Sequence, residues 1–188
     1  MTVKTVFQVG VSVLRNLKLK ILRGKKYRCH MLYSLPLRTK IIIDKGAKVE
    51  IGKRLSGNDA LKIAVRPNAE LKIGDRVNFN SNCFVVCRDR IEIGNDVIFG
   101  PGCKIYDHDH NYKKRGVERV KSFVTDKIII GNGCWFGADC VILRGTTIGD
   151  NCVFGAGSII KGEYPSDVVV TQRADERRTE IKYADTEK

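Results

Sequence analysis

At 188 residues the chain is long enough for one domain with a buried core and short for two. Its 34 Lys and Arg against 21 Asp and Glu leave a net charge of +13, an excess that favours anionic partners such as nucleotide phosphates or lipid head groups. Neither aromatic residues interleaved with basic patches nor a DNA- or RNA-binding motif is found, so nucleic acid is not an expected partner.

Residues 2–28, TVKTVFQVGVSVLRNLKLKILRGKKYR, stand apart in composition. The apolar run from Val6 to Leu14 is too short, and too interrupted by Gln8, Gly10 and Ser12, to span a bilayer. A signal peptide would place a small-residue cleavage site next, yet LKLKILRGKK follows. The segment predicts a basic amphipathic helix with Val6, Val9, Val13, Leu17 and Ile21 near one face. Terminal repeats of a solenoid need a cover, so capping the coil that follows is the first expectation, and contact with an anionic membrane the second. Residues 1–35 are therefore read as a basic N-terminal segment, 36–165 as a coil carrying an excursion at 106–126, and 166–188 as a tail. That tail has one apolar run, Val168–Val170, before a charged end.

The coil is announced from Lys40 onward by Ile51-Gly52, Ile73-Gly74 and Ile93-Gly94, which lie 22 and 20 residues apart. These spacings suit three-sided turns of three hexads each, with small bulges. Between Ile130 and Ile160 the period becomes strict. Ile130, Phe136, Ile142, Ile148, Phe154 and Ile160 recur every sixth residue, and a small residue follows four places after each of the first five: Cys134, Cys140, Thr146, Cys152 and Ser158. Neither a helix nor a flat strand has a period of six. A coil with flat faces does: the large residue fills the interior, and the small one points inward near a corner. Corners need φ values that Gly, Asn and Asp tolerate, which accounts for Gly131-Asn132, Gly149-Asp150 and Asn151. Of seven cysteines, Cys83, Cys103, Cys134, Cys140 and Cys152 fall in the small inward slot and read as core fillers. No zinc-type spacing occurs, and unpaired cysteines point to a reducing, cytoplasmic compartment.

From Tyr106 to Asp126 the repeat fails. The stretch YDHDHNYKKRGVERVKSFVTD is long and charged, and holds two of the three histidines. Such excursions from regular scaffolds usually carry function. A neutral histidine can take a proton from a hydroxyl or amine and return it to a leaving group, provided its tautomer is fixed by a partner such as Asp107, Asp109 or a backbone carbonyl. Two other readings compete: a solvated polar loop, and a metal held by His108 and His110 on one face of a strand. A third ligand for the latter is not at hand, since His30 is distant in sequence, so no metal is expected.

The hexads, the DHDH excursion and the run IIIGNGCWFGADCVILRGTTIGDNCVFGAGSII together resemble the hexapeptide-repeat acyltransferases. The nearest branch contains the galactoside and maltose O-acetyltransferases and the O-acetyltransferases of surface polysaccharides. The resemblance covers about residues 40–165. It implies an all-β fold, a left-handed parallel β-helix of hexapeptide repeats with a short N-terminal helical segment and an excursion loop. It further implies a homotrimer with active sites between neighbouring coils, and acetyl-CoA as acyl donor. The family's G-P-x-x-x-I entry matches Gly100-Pro101 and Ile105, and its catalytic histidine, ten residues after that glycine, falls on His110, with His108 the alternative. The implied reaction is direct transfer with the histidine as general base, and no cysteine acts as nucleophile.

Cys134-Trp135-Phe136-Gly137 takes the place of the family's V-W-I-G, so Trp135, Ala138 and Ala156 are implied along the pantetheine arm. Asn80, with Asn82 nearby, aligns with an acceptor-side asparagine, though both also suit ordinary corners. The usual G-x-P-A-K segment is missing, and Lys161, Arg173 or Arg177 stands in for its basic contact with the coenzyme. The implied function is acetylation of a hydroxyl of a sugar or polysaccharide precursor, in the cytoplasm and near a membrane. The alternatives are N-acylation of an amino sugar or nucleotide-linked sugar, or a non-catalytic degenerate coil.

Overall fold

The computed structural model describes residues 3–30 and 34–172. Three parallel sheets wrap around one interior. Face A has seven strands, from Tyr27–Cys29 to Glu163–Tyr164; face B has six, from Ser56–Gly57 to Val169–Val170; face C has six, from Lys40–Ile43 to Ile159–Ile160. The chain visits A, B and C in turn, and each strand pairs in parallel with the strand of the same face one turn on. The expected left-handed parallel β-helix is the fold. Its first strand, Tyr27–Cys29, already pairs with Lys48–Ile51, so the coil starts before Lys40. That strand has a neighbour on one side only and carries no Ile-Gly mark, which hid it in the sequence.

Register stacks like on like. Ile73, Ile93, Ile130 and Ile148 form one inward column, and Phe79, Phe99, Phe136 and Phe154 form another. The rings of the second column stack at centroid spacings of 4.6, 4.9 and 5.1 Å. All eight side chains are buried, and such columns supply most of the stabilisation of a solenoid. The small inward slot proves to be a donor slot. Cys83, Cys103, Cys134, Cys140 and Cys152 direct their thiols at the carbonyls of Gly100, Gly137, Gly149, Gly155 and Pro165, at 3.1–3.2 Å. Thr146 and Ser158 do the same with hydroxyls. Alanine would fill the slot but leave those bonds unmade.

The corner glycines serve a purpose other than the expected one. Gly131 and Gly149 do not have positive φ; that conformation falls later, at Gly133 and Asn151. Gly131 is required by close approach: a Cβ there would lie 2.6 Å from the carbonyl of Gly149. Beside it Asn95, Asn132, Asp150 and Ser166 form a ladder along the A–B edge. The Asn95 N–H donates to Asn132 Oδ1 at 2.8 Å, that of Asn132 to Asp150 Oδ1 at 2.6 Å, and that of Asp150 to Ser166 Oγ at 2.9 Å. Asparagine and aspartate follow glycine here because their short side chains accept a bond from the preceding turn.

Both ends are covered. At the far end Tyr164 sets its edge against the Phe154 ring. The Gln172 side-chain amide there pairs with the N–H and carbonyl of Ile159, taking the place of the next strand. The near end carries helix α1, Val3–Arg23. It docks through polar residues: Ser12 Oγ donates to the Leu35 carbonyl and accepts its N–H, at 3.2 and 3.1 Å, and Asn16 Nδ2 donates to the His30 carbonyl. Ser12 and Asn16 are fully buried, whereas Leu17 and Ile21, expected on the packed face, are exposed. The helix is turned from the orientation that its apolar pattern suggested, because hydrogen bonds to the coil's first backbone groups decide its roll. The charged end of the tail, with Arg173 and Arg177, lies outside the described residues.

Candidate active site

The excursion leaves the C–A edge after face-C strand Lys104–Tyr106 and returns at face-A strand Ile128–Ile130. It is a built element: strands His108–His110 and Phe123–Thr125 pair antiparallel, and between them lies the short helix α2, Gly116–Lys121. A bond from the Asp126 N–H to the Asp107 carbonyl closes its base, so the insertion leaves the coil's register intact.

Each residue of the DHDH motif is pinned. Asp107 is fully buried and accepts the N–H groups of Arg88, at 2.8 and 2.9 Å to its two oxygens, and of Asp89 at 2.7 Å. It thereby stands in for the corner that the insertion interrupts. Its Oδ1 also lies 3.1 Å from His108 Nδ1. Asp109 accepts from Arg144 Nε at 2.6 Å, which ties the hairpin to the following turn. His110 Nδ1 is 3.1 Å from the carbonyl of Arg119. A carbonyl only accepts, so that nitrogen carries a proton, and in the neutral ring Nε2 is left with its lone pair.

Phe123 is the hub of the site, and sequence reasoning missed it. Its ring centroid lies 5.6 Å from that of His108 and 4.5 Å from that of His110, and the Arg88 guanidinium sits 3.4 Å from it on the ring face. Tyr106 closes on His108 edge-on at 6.0 Å. Burial lowers the Arg88 pKa and raises that of the Tyr106 hydroxyl, which holds the latter as a neutral phenol. His108 is thus enclosed between two rings, its side chain 13% exposed, whereas His110 faces solvent. Among the described residues no group of three metal-ligating side chains converges.

The other residues of interest stand elsewhere. Trp135 projects from face B, 53% exposed, and Ala138 and Ala156 lie just past it along the B–C edge, on successive turns. That edge is stripped to backbone: a Cβ on Gly137 would meet the Ala156 nitrogen at 2.6 Å. Asn80 and Asn82 occupy the same edge two turns earlier and have corner duties there. Asn80 Oδ1 accepts from Asn58 and from the Ser81 N–H, and Asn82 takes positive φ. Lys161 is at the C–A edge, exposed. One chain therefore gathers His108, His110 and Lys161 along one edge and Trp135, Ala138, Ala156, Asn80 and Asn82 along another, with the width of face C between them.

Residues 127–162 match the family model of the bacterial transferase hexapeptide, six repeats. The chain is similar to galactoside O-acetyltransferase of Escherichia coli, 35% identical over 103 residues, which are 54% of this chain and 49% of that enzyme. It is 22% identical over 142 residues to WbbJ of the same organism, a protein that its name assigns to lipopolysaccharide biosynthesis as an O-acetyl transferase; the match covers 71% of this chain and 72% of WbbJ. In fold it is similar to AntD, an N-acyltransferase from Bacillus cereus solved with dTDP and coenzyme A, with a TM-score of 0.60 at 15% identity over 74% of this chain and 76% of that one. The resemblance read from the hexads holds, and the chain spans about half the length of the galactoside enzyme.

Proposed function

We propose that the protein is an acetyl-CoA-dependent O-acetyltransferase acting on a hydroxyl of a sugar or of a polysaccharide or glycolipid precursor. The observation that carries this reading is His110: an exposed imidazole whose Nδ1–H is held by the Arg119 carbonyl, on a hairpin bolted to a coil of the acetyltransferase kind. Acetyl-CoA supplies the acetyl thioester. His110 Nε2 receives the proton of the acceptor hydroxyl as its oxygen is acylated, and gives that proton up to the departing thiolate. The imidazole acts only in proton transfer, with no covalent intermediate. The B–C edge suits an extended pantetheine arm: Ala138 and Ala156 offer small side chains, Gly137 offers bare backbone, and Trp135 offers an exposed flat ring. Lys161 is the described candidate for the coenzyme's phosphates, and Asn80 and Asn82 for the acceptor.

A site assembled from two edges requires a neighbour, and the three outer faces differ in a way that supports a homotrimer. Face A alternates charge along its register, Arg28–Glu50–Lys72–Glu92, as a solvated face would. Face B lines up Ile98, Trp135, Val153 and Val169. Face C lines up Ile42, Ala64, Val86, Tyr106 and Leu143. Two different faces, each with an apolar column, favour a head-to-tail contact that closes into a ring. Placement in the cytoplasm, close to an anionic membrane, is part of the same proposal.

A thiol-release assay with acetyl-CoA and a panel of sugar acceptors tests the reading. Turnover with hydroxyl acceptors is the expected result. Transfer confined to amino sugars would favour the N-acyltransferase alternative, and neither binding nor turnover of acetyl-CoA would favour a non-catalytic coil.

A further inference from the structure

The charge of this molecule is not spread evenly. The first 43 residues hold ten of the 34 Lys and Arg and none of the 21 Asp and Glu, so most of the +13 excess sits at the near end of the coil. Helix α1 belongs to that end, and its roll is fixed by the buried bonds of Ser12 and Asn16 to the backbone of Leu35 and His30. The consequence is an apolar stripe turned to solvent. Phe7, Leu14, Leu17 and Ile21 are 59, 70, 49 and 75% exposed. They follow one another at helical spacing with Gly10 in the gap, over about 21 Å at 1.5 Å per residue. Isolated exposed leucines need no explanation, whereas a continuous stripe of them does.

Where the stripe ends, a basic cleft begins. Four residues past Ile21 come Lys25 and Lys26, which with Arg28, Lys48 and Lys72 line a cavity of about 350 Å³ on face A. Glu50 and Glu70 also line it, but each is in register with basic neighbours, Glu50 with Arg28 and Lys72, and Glu70 with Lys48 and Arg90. Lys25 and Lys26 lie outside that ladder, and they leave the cleft positive.

We infer that α1 and this cleft form a membrane-docking end, in which Phe7, Leu14, Leu17 and Ile21 enter the interfacial region of a bilayer and the lysines meet the head groups of anionic phospholipids. The inference deepens the membrane-proximal part of the proposed function and does not depend on its chemistry, because vesicle binding and acetyl transfer are read separately. Charge complementarity selects the occupant. A second copy would bring another net-positive end against the first and be repelled, whereas an anionic leaflet attracts such a surface. An amphipathic helix lying in the interface, with basic residues beside its apolar stripe, is the arrangement that binds there. Among the described residues no helix is long and apolar enough to cross a membrane, so the contact is peripheral.

Flotation of the full-length protein with vesicles tests this. Binding is expected to vesicles of phosphatidylcholine mixed with phosphatidylglycerol and not to phosphatidylcholine alone, and to weaken as salt is raised. The double variant Leu17→Ser/Ile21→Ser should lower partitioning by about tenfold or more. The sites are exposed, so Tm and sedimentation mass should not change. Lys25→Gln/Lys26→Gln should reduce the preference for anionic vesicles while the fold is kept. Failure of the wild-type protein to bind anionic vesicles would overturn the inference, as would equal binding by the Leu17/Ile21 variant. A fall in oligomer mass for that variant would overturn it too, because the stripe would then be covered by another copy.

Discussion

The two edges that border face C were built by opposite means. The B–C edge keeps to the repeat: over its last three turns Gly100, Gly137 and Gly155 stack in line, the corners there approach to backbone contact, and Trp135 stands out beside them. The C–A edge is broken by residues 107–127, which owe nothing to the repeat, and there the histidines, a buried carboxylate and two engaged arginines are found. Regularity gives a flat, rigid wall for a long flexible ligand. Irregularity gives side chains in fixed geometry, which acid–base chemistry needs. Neither edge holds both, and that division is why a neighbouring protomer enters the proposal.

The largest break in this contrast is expected from His110→Ala. Turnover should fall on the order of 10²- to 10⁴-fold, with circular dichroism and oligomer mass unchanged, since the side chain is exposed and bonds only to the Arg119 carbonyl. Full activity in His110→Ala together with loss in His108→Ala would move the base by two residues. Next comes Asp107→Ala, which should act on the fold as much as on the site. It orphans the N–H groups of Arg88 and Asp89, at roughly 1–3 kcal/mol for each buried donor, and a denaturant titration should show the loss. On the regular edge the effect should be one of affinity. Trp135→Ala should raise the KM for acetyl-CoA about tenfold with a smaller change in kcat. Smallest of all is Cys103→Ala, which removes one weak donor to Gly137 and should cost about 1 kcal/mol or less. In the same interior, burial raises the Cys134 thiol to about 11 and pushes Cys87 up as well. At these two positions the thiolate, which is the reactive form, is therefore scarce at neutral pH, and because all seven cysteines are buried alkylating reagents should leave native turnover unaffected.

Much of this contrast could be read from residue order. A period of six has one economical structural solution, and its failure between Tyr106 and Asp126 marked the site directly. The inward cysteines were legible as fillers, but their role as donors was not, because it depends on a carbonyl one turn away. Phe123 escaped for a similar reason: its neighbours His108, His110 and Arg88 become neighbours only when the hairpin pairs across an unpatterned stretch. The Arg144–Asp109 contact joins positions 35 apart. The roll of α1 was misjudged because apolar spacing was weighed and the hydrogen-bonding needs of Leu35 and His30 were invisible. Period and composition report on packing, while pairing between unlike segments is settled in three dimensions.

Subunit mixing tests most directly whether the site is shared between edges of two protomers. His110→Ala lacks the base, and Ala156→Tyr fills the exposed strip on the other edge; each alone should be inactive. Co-expressed and assembled at random, the two should regain activity at about a quarter of the sites, those where an intact His110 faces an intact Ala156 of the neighbouring protomer. Recovery at that level is the predicted result. Mixed assemblies no more active than either parent would contradict it and return the whole site to a single chain.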